Sequence, residues 1–239
     1  MSWFQLDPRS LADRAAASGP GSSPLSLPAS VMLGSIGFCV VSIAGFVPWA
    51  IFGRDLGRVI GEAGMYAVCA LVFIGLAGLF LHRLLIGEGS LVRFYKVFSI
   101  AFGAYSVAWI AGWMALRGHA GSVVGLLAGT ALMGWIFTRA FDARNALGPI
   151  VAALFLANAA GYFIGGWIEG GLMNAENLQF LGQPLPRRSQ MRVAMLAWGV
   201  FYGLGLGAGL GYAFHRCQRA ARELLRDRLT RPPQPADPE

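Results

Sequence analysis

Residues 198–211 read WGVFYGLGLGAGLG, and six of these fourteen positions are glycine. In water each glycine weakens a helix by about 1 kcal/mol relative to alanine. The stretch nevertheless sits inside an apolar run from Met191 to Phe214, which is too long for a buried strand and must be helical. Hydrocarbon reconciles the two. There the backbone has to hydrogen-bond to itself, so the helix persists, and a missing side chain lets a second backbone approach closely. Gly199, Gly203, Gly207 and Gly211 recur every fourth residue on one face, and Gly205 and Gly209 add a second groove. This glycine-zipper spacing predicts a tight crossing with another span. The fifth is the expected partner, because Ala153, Ala157, Gly161 and Gly165 form a matching row there. Gly121, Gly125 and Gly129 make a third row, and Ala104, Ala108 and Gly112 a fourth.

Composition points the same way. Of 239 residues, 56% are apolar and 13% charged, and the mean hydropathy is +0.56. An ordinary soluble domain carries about 25% charged residues. A bilayer core about 30 Å thick takes roughly 20 apolar residues per helix. Six segments qualify: Val31–Phe52, Gly64–Leu85, Val97–Leu116, Gly121–Thr138, Leu147–Ile168 and Met191–Phe214. The expected fold is therefore all-α, a polytopic integral membrane bundle of six transmembrane helices. Thirteen of the arginines and lysines fall on the side of both tails and six on the other, so both termini are expected in the cytoplasm. This divides the chain into a cytoplasmic tail and flexible linker over residues 1–30, a membrane domain over 31–214 and a basic cytoplasmic tail over 215–239. The opening residues lack an apolar core followed by a cleavage site, so the first span is expected to be retained. Trp3, Phe4, Leu6 and Leu11 beside Arg9 and Arg14 read as a short helix lying on the membrane surface. Arg216, Arg219, Arg222 and Arg226 continue the sixth span as a basic helix, and RPPQPADPE at the end reads as unstructured.

Several function classes are set aside by the same residues. The net charge of +7 is spread over loops and tails rather than gathered into a basic stripe, which excludes nucleic acid as a partner. Cys39, Cys69 and Cys217 have no metal-type spacing, so no metal is expected. His82 and His215 both end spans at the cytoplasmic edge, which does not suit a buried haem, so no cofactor is expected. Glu62 and Glu169 stand at outer span ends without a histidine beside them, so the chain is not read as an enzyme.

Polar residues at membrane depth are the remaining pointers. Ser42, Tyr105, Ser106, Thr130, Asn158 and Tyr202 form an uncharged midplane belt, and Tyr162 stands one turn beyond Asn158. Tyr105, Trp109, Trp113 and Arg117 repeat at intervals of four, while Trp49, Trp113 and Trp167 match an outer interfacial belt. These features predict a small-solute permease or channel-like facilitator whose path is formed by Ser42, Tyr105, Trp109, Thr130, Asn158, Tyr162 and Tyr202. The alternative is a non-catalytic subunit or assembly scaffold that docks other membrane proteins, or a second copy of itself, through its grooves and basic tail. Because eighteen of the nineteen basic residues are arginine, a bacterial inner membrane is the expected lipid bilayer.

Overall fold

The computed structural model describes residues 4–17, 24–176 and 178–230. The expectations that concern Trp3, most of the linker and the closing residues 231–239 lie outside the described residues. Helices dominate: α1 (Pro8–Ala17), α2 (Leu27–Leu81), α3 (Ser90–Leu116), α4 (Gly118–Ala140), α5 (Leu147–Asn174), α6 (Arg187–Cys217) and α7 (Arg219–Thr230). Strands β1 (Gln179–Phe180) and β2 (Gln183–Pro184) form a small antiparallel pair between α5 and α6. Among the described residues, helices α2 to α6 are the five that are long and apolar enough to cross a membrane.

The 55 residues of α2 do not form one rod. Gly61 has φ 74° and ψ 174°, outside helical space, and the chain doubles back around it. A Cβ on Gly37 would lie 2.9 Å from the Leu81 side chain, one on Gly45 2.6 Å from Phe73, and one on Gly53 3.3 Å from the Met65 sulfur. Partner numbers that fall as the first number rises are the mark of two antiparallel arms, 27–60 and 62–81. Only glycine occupies the Gly61 conformation without strain. A Cβ there would meet nothing within 4 Å, so backbone strain alone opposes substitution. Gly61→Val is expected to cost about 1–3 kcal/mol, read as a lower thermal midpoint in detergent. Gly57→Val, at an equally uncrowded helical position, should leave that midpoint nearly unchanged.

Helix α6 is the centre of the bundle, clasped from two sides. The row at Gly199, Gly203, Gly207 and Gly211 faces the first arm of α2. A Cβ on Gly203 would meet Cys39 Cα and Ser42 Cβ, both at 2.6 Å, and one on Gly207 would meet Phe38 Cβ at 2.9 Å. The fifth span, the expected partner of that row, packs instead against Gly205 and Gly209. A Cβ on Gly205 would lie 2.9 Å from Gly161 Cα, and one on Gly209 3.0 Å from Leu154 Cα. The reason is rotational. Two residues turn a helix by about 200°, so Gly205 and Gly209 lie nearly opposite the first row rather than beside it. Gly165 faces the Trp198 indole one turn further along. Helices α3 and α4 form a second close pair, in which a Cβ on Gly112 would lie 2.8 Å from Gly125 Cα.

Helices α1 and α7 pack against each other at one end of the bundle, with Asp13 and Arg228 in an ion pair at 2.7 Å. Leu6 and Leu11 are buried in the same apolar cluster as Leu84, Leu85 and Ile86. The apolar side of the expected surface helix is thus occupied by protein. Asp7 caps α1: its Oδ1 accepts from the Ser10 backbone N–H at 3.0 Å and its Oδ2 from the Ser10 hydroxyl at 2.7 Å. Partial burial raises the Asp7 carboxyl pKa, but these bonds outweigh it and hold the group below the usual carboxylate range. The cap is therefore complete above that range and is lost as pH falls through the lowered value.

The basic continuation of the sixth span is a separate helix. Helix α6 stops at Cys217, and the chain turns at Gln218. The buried Gln218 amide donates to the carbonyls of Leu84 and Phe214 and accepts from the Ile86 N–H. It satisfies backbone groups of the 82–89 connection that burial would otherwise leave orphaned. Arg93, also buried, donates to the carbonyls of Ile86 and Gly87 from the other side.

Candidate solute site

Aromatic side chains organise the interior along α3, where Phe94, Phe98, Phe102, Tyr105, Trp109 and Trp113 recur at intervals of three or four. Successive side chains at that spacing share one helix face. Toward the α1 and α7 end this face is solidly filled. Phe94 stacks on Phe98 at 5.0 Å, Phe98 on Phe102 at 5.2 Å, and Phe214 lies between Phe94 at 5.4 Å and Phe137 at 4.9 Å.

Beyond Tyr105, toward the Gly61 turn, the helices enclose a cavity of about 240 Å³. Both arms of α2 contribute to it (Phe46 and Trp49; Tyr66, Cys69, Ala70 and Phe73). Helix α3 adds Phe102, Tyr105, Ser106, Trp109, Ile110 and Trp113, α5 adds Tyr162, and α6 adds Trp198 and Tyr202. No charged residue is among them. A second, shallower cavity of about 350 Å³ around Arg54, Glu62 and Met195 adjoins the first and shares Trp49 and Tyr66 with it.

A hydrogen-bonded knot underlies the cavity. Asn158 Nδ2 donates to the Tyr105 hydroxyl at 2.9 Å, and the Tyr202 hydroxyl donates to the same oxygen at 3.1 Å. This joins α3, α5 and α6 at one atom. A second pair joins α4 to α5. The Ser122 hydroxyl donates to the Gly118 carbonyl at 3.1 Å, so Tyr162, 3.0 Å away, is the donor to Ser122. Of the six buried side-chain polar atoms without a hydrogen-bond partner among the described residues, three belong to residues expected to form the path: Asn158 Oδ1, Ser42 Oγ and Trp109 Nε1.

The mouth is tied by Glu62 at the α2 turn. Its carboxylate accepts from Arg117 Nη1 at 2.9 Å on both oxygens, from Trp113 Nε1 at 3.2 Å and from the Tyr66 hydroxyl at 3.1 Å. One carboxylate thus orients two wall residues and anchors the end of α3. The exposed ion pair contributes little by itself, so the convergence of donors matters more.

Comparison with protein-family models, curated proteins and solved structures finds no match for this chain.

Of the seven residues expected to form a path, Tyr105, Trp109, Tyr162 and Tyr202 line the cavity, while Ser42, Thr130 and Asn158 do not. Thr130 spends its hydroxyl on the Leu126 and Leu127 carbonyls of its own helix. Asn158 lies behind the wall, and Ser42 is buried where α2 meets α6. Trp49 and Trp113, expected in an interfacial belt, face the cavity, whereas Trp167 is 80% exposed. Sequence reasoning missed Phe46, Tyr66 and Trp198 as wall residues, and the Glu62–Arg117 tie. The opposite charges at matched outer ends of the second and third spans were the available signal for that tie. His82 bonds through Nδ1 to the Gly78 carbonyl at 2.9 Å. Among the described residues no group of three or more His, Cys, Asp and Glu is placed to hold a metal.

Proposed function

We propose that this chain crosses a bacterial inner membrane six times with both ends in the cytoplasm, and that it is a permease-like facilitator whose solute site is the aromatic cavity. The doubling back of α2 at Gly61 supports two crossings in place of one. The Asp13–Arg228 contact supports an even number, since chain ends that touch lie on one side of the bilayer. The excess of arginine on that side supports its being cytoplasmic. The observation that carries the functional reading is the cavity itself, which lies among the long apolar helices on the side of Tyr105 away from α1 and α7. The phenylalanine stack closes it on the other side, as in a carrier held with one side shut.

The alternative of a docking scaffold is less well supported. Its glycine rows are covered by α2 and α5 of the same chain, which leaves it only the basic tail. Two measurements test the proposal. Fusions of a cytoplasm-active fluorescent reporter should light at both ends, and activity on opposite faces would refute the crossing number. Proteoliposomes should show saturable, protein-dependent entry of at least one solute from a panel running from glycerol to small aromatic alcohols. Asn158→Leu should slow that entry about tenfold, equivalent to about 1.4 kcal/mol. Absence of any saturable entry refutes the transport reading.

A further inference from the structure

From the chemistry of its wall we infer that the cavity takes a neutral aromatic molecule of one or two rings carrying a single hydroxyl or carbonyl, and not a hydrophilic or charged solute. This inference rests on the cavity being the solute site. The polar belt at bilayer depth suggests a hydrophilic path, but its groups are largely consumed. Tyr202 and Asn158 each donate to the Tyr105 hydroxyl, and Tyr162 is bonded to Ser122. What faces the interior is mostly ring surface, and the lining also includes the Ser106 hydroxyl and Trp109, whose buried Nε1–H has no partner among the described residues. Apolar cavities of this kind stay dry: one of about 150 Å³ lined by aliphatic and aromatic residues excludes water and takes up benzene. At about 240 Å³ this cavity has room for one ring with a substituent, or for two fused rings.

The rings already present show the geometry an added ring would join. Trp49 and Trp198 stand edge to face at 5.6 Å, and Tyr66 and Trp109 at 5.3 Å. Offset and edge-on arrangements at such separations are those aromatic pairs prefer. Charge selects as well. Arg54 stands exposed in the adjoining cavity, while Glu62 there is already neutralised by Arg117 at the rim, so the mouth offers no free carboxylate to draw in a cation. The wall itself offers no cation to hold an anion, and a charge entering it would forfeit its hydration uncompensated.

The test uses the full-length protein in lipid nanodiscs and fluorine NMR of 4-fluorophenol, which separates a saturable bound resonance from molecules dissolved in lipid. A one-to-one bound signal is expected. It should weaken about tenfold or more, a loss of about 1.4 kcal/mol, in Ala70→Phe, which fills the cavity. Ser106→Leu fills the same space from α3 and serves if Ala70→Phe does not fold. The cation 4-fluorobenzylammonium and the anion 4-fluorobenzoate should each bind about tenfold more weakly, or not at all. Equal binding of either charged compound overturns the inference. So does a bound lipid chain that 4-fluorophenol does not displace, or a signal that both filling variants leave intact. Saturable proteoliposome entry confined to hydrophilic solutes such as glycerol, with no bound fluorine signal, overturns it while leaving the transport reading standing. No saturable entry and no bound signal overturn both.

Discussion

Gly203→Ala and Gly207→Ala are each expected to lower the unfolding temperature in detergent by roughly 5–10 °C, and Gly207→Leu to yield no folded protein. The size of the effect follows from what the added atom meets. At Gly203 a Cβ would stand 2.6 Å from Cys39 Cα and 2.9 Å from the Phe38 carbonyl oxygen. Backbone cannot rotate aside as a side chain does, so the whole first arm of α2 has to retreat. Forcing one methyl into a filled seam costs about 1–3 kcal/mol, and backbone contact belongs at the top of that range. For a chain of this size each kcal/mol shifts the midpoint by about 2–4 °C. Leucine adds three more carbons where there is no room for one. The control is Gly103→Ala, where a Cβ would meet nothing within 4 Å and alanine's better helix propensity should hold or raise the midpoint. Equal behaviour at Gly103 and Gly207 would mean that the glycines reflect composition rather than contact. Thermal unfolding followed by size-exclusion chromatography reads all four variants.

The same residues show what a linear sequence discloses. The interval of four at Gly199–Gly211 is a local property, so it marks a close crossing without reference to any other span. Its partner is a tertiary fact. Ser30, Gly34, Phe38 and Ser42 carry the answering interval of four on the first arm of α2, interrupted by a phenylalanine that disguises the small-residue row. The more regular row at Ala153–Gly165 therefore looked like the better match. Helix α6 in fact uses both, because glycines two positions apart face opposite ways. Gly61 is legible only in retrospect. A charged connection containing Arg54, Asp55 and Arg58 marks a boundary between spans, yet helical hydrogen bonding continues almost to the turn, so the two arms register as one helix.

The site was less legible than the fold, for a related reason. Trp49 and Trp113 sit at span ends, where indoles that face lipid headgroups and indoles that face inward have the same sequence signature. Which way each turns depends on the rotation of its helix. That rotation is set by the glycine seam each helix makes with its neighbour; in α3 it lies beside Trp113, whose Cα a Cβ on Gly121 would meet at 3.3 Å. The midplane polar residues were recognisable as unusual at that depth. Their mutual bonding was not, since Tyr105 and Tyr202 lie 97 positions apart in the chain.

That bonding leads to the other large effect, Tyr105→Phe, which should destabilise the bundle by about 2–3 kcal/mol while Tyr202→Phe costs less than about 1 kcal/mol. Both changes delete one phenolic oxygen, so the asymmetry needs a cause. The Tyr105 hydroxyl is the shared acceptor: Asn158 Nδ2 and the Tyr202 hydroxyl both point at it. Deleting it strands two buried donors, each worth about 1–2 kcal/mol to leave unpaired in a membrane interior. Deleting the Tyr202 hydroxyl strands none, because Asn158 still bonds to Tyr105. The double variant Tyr105→Phe/Asn158→Leu decides whether the atoms act as a unit. Replacing both members of a buried pair with apolar groups is close to neutral, so the second change should recover part of the loss caused by the first. Strict additivity in detergent unfolding would mean that these hydroxyls merely neighbour one another. Recovery of stability without recovery of solute entry would separate the knot's contribution to holding α3, α5 and α6 together from its place as the floor of the cavity.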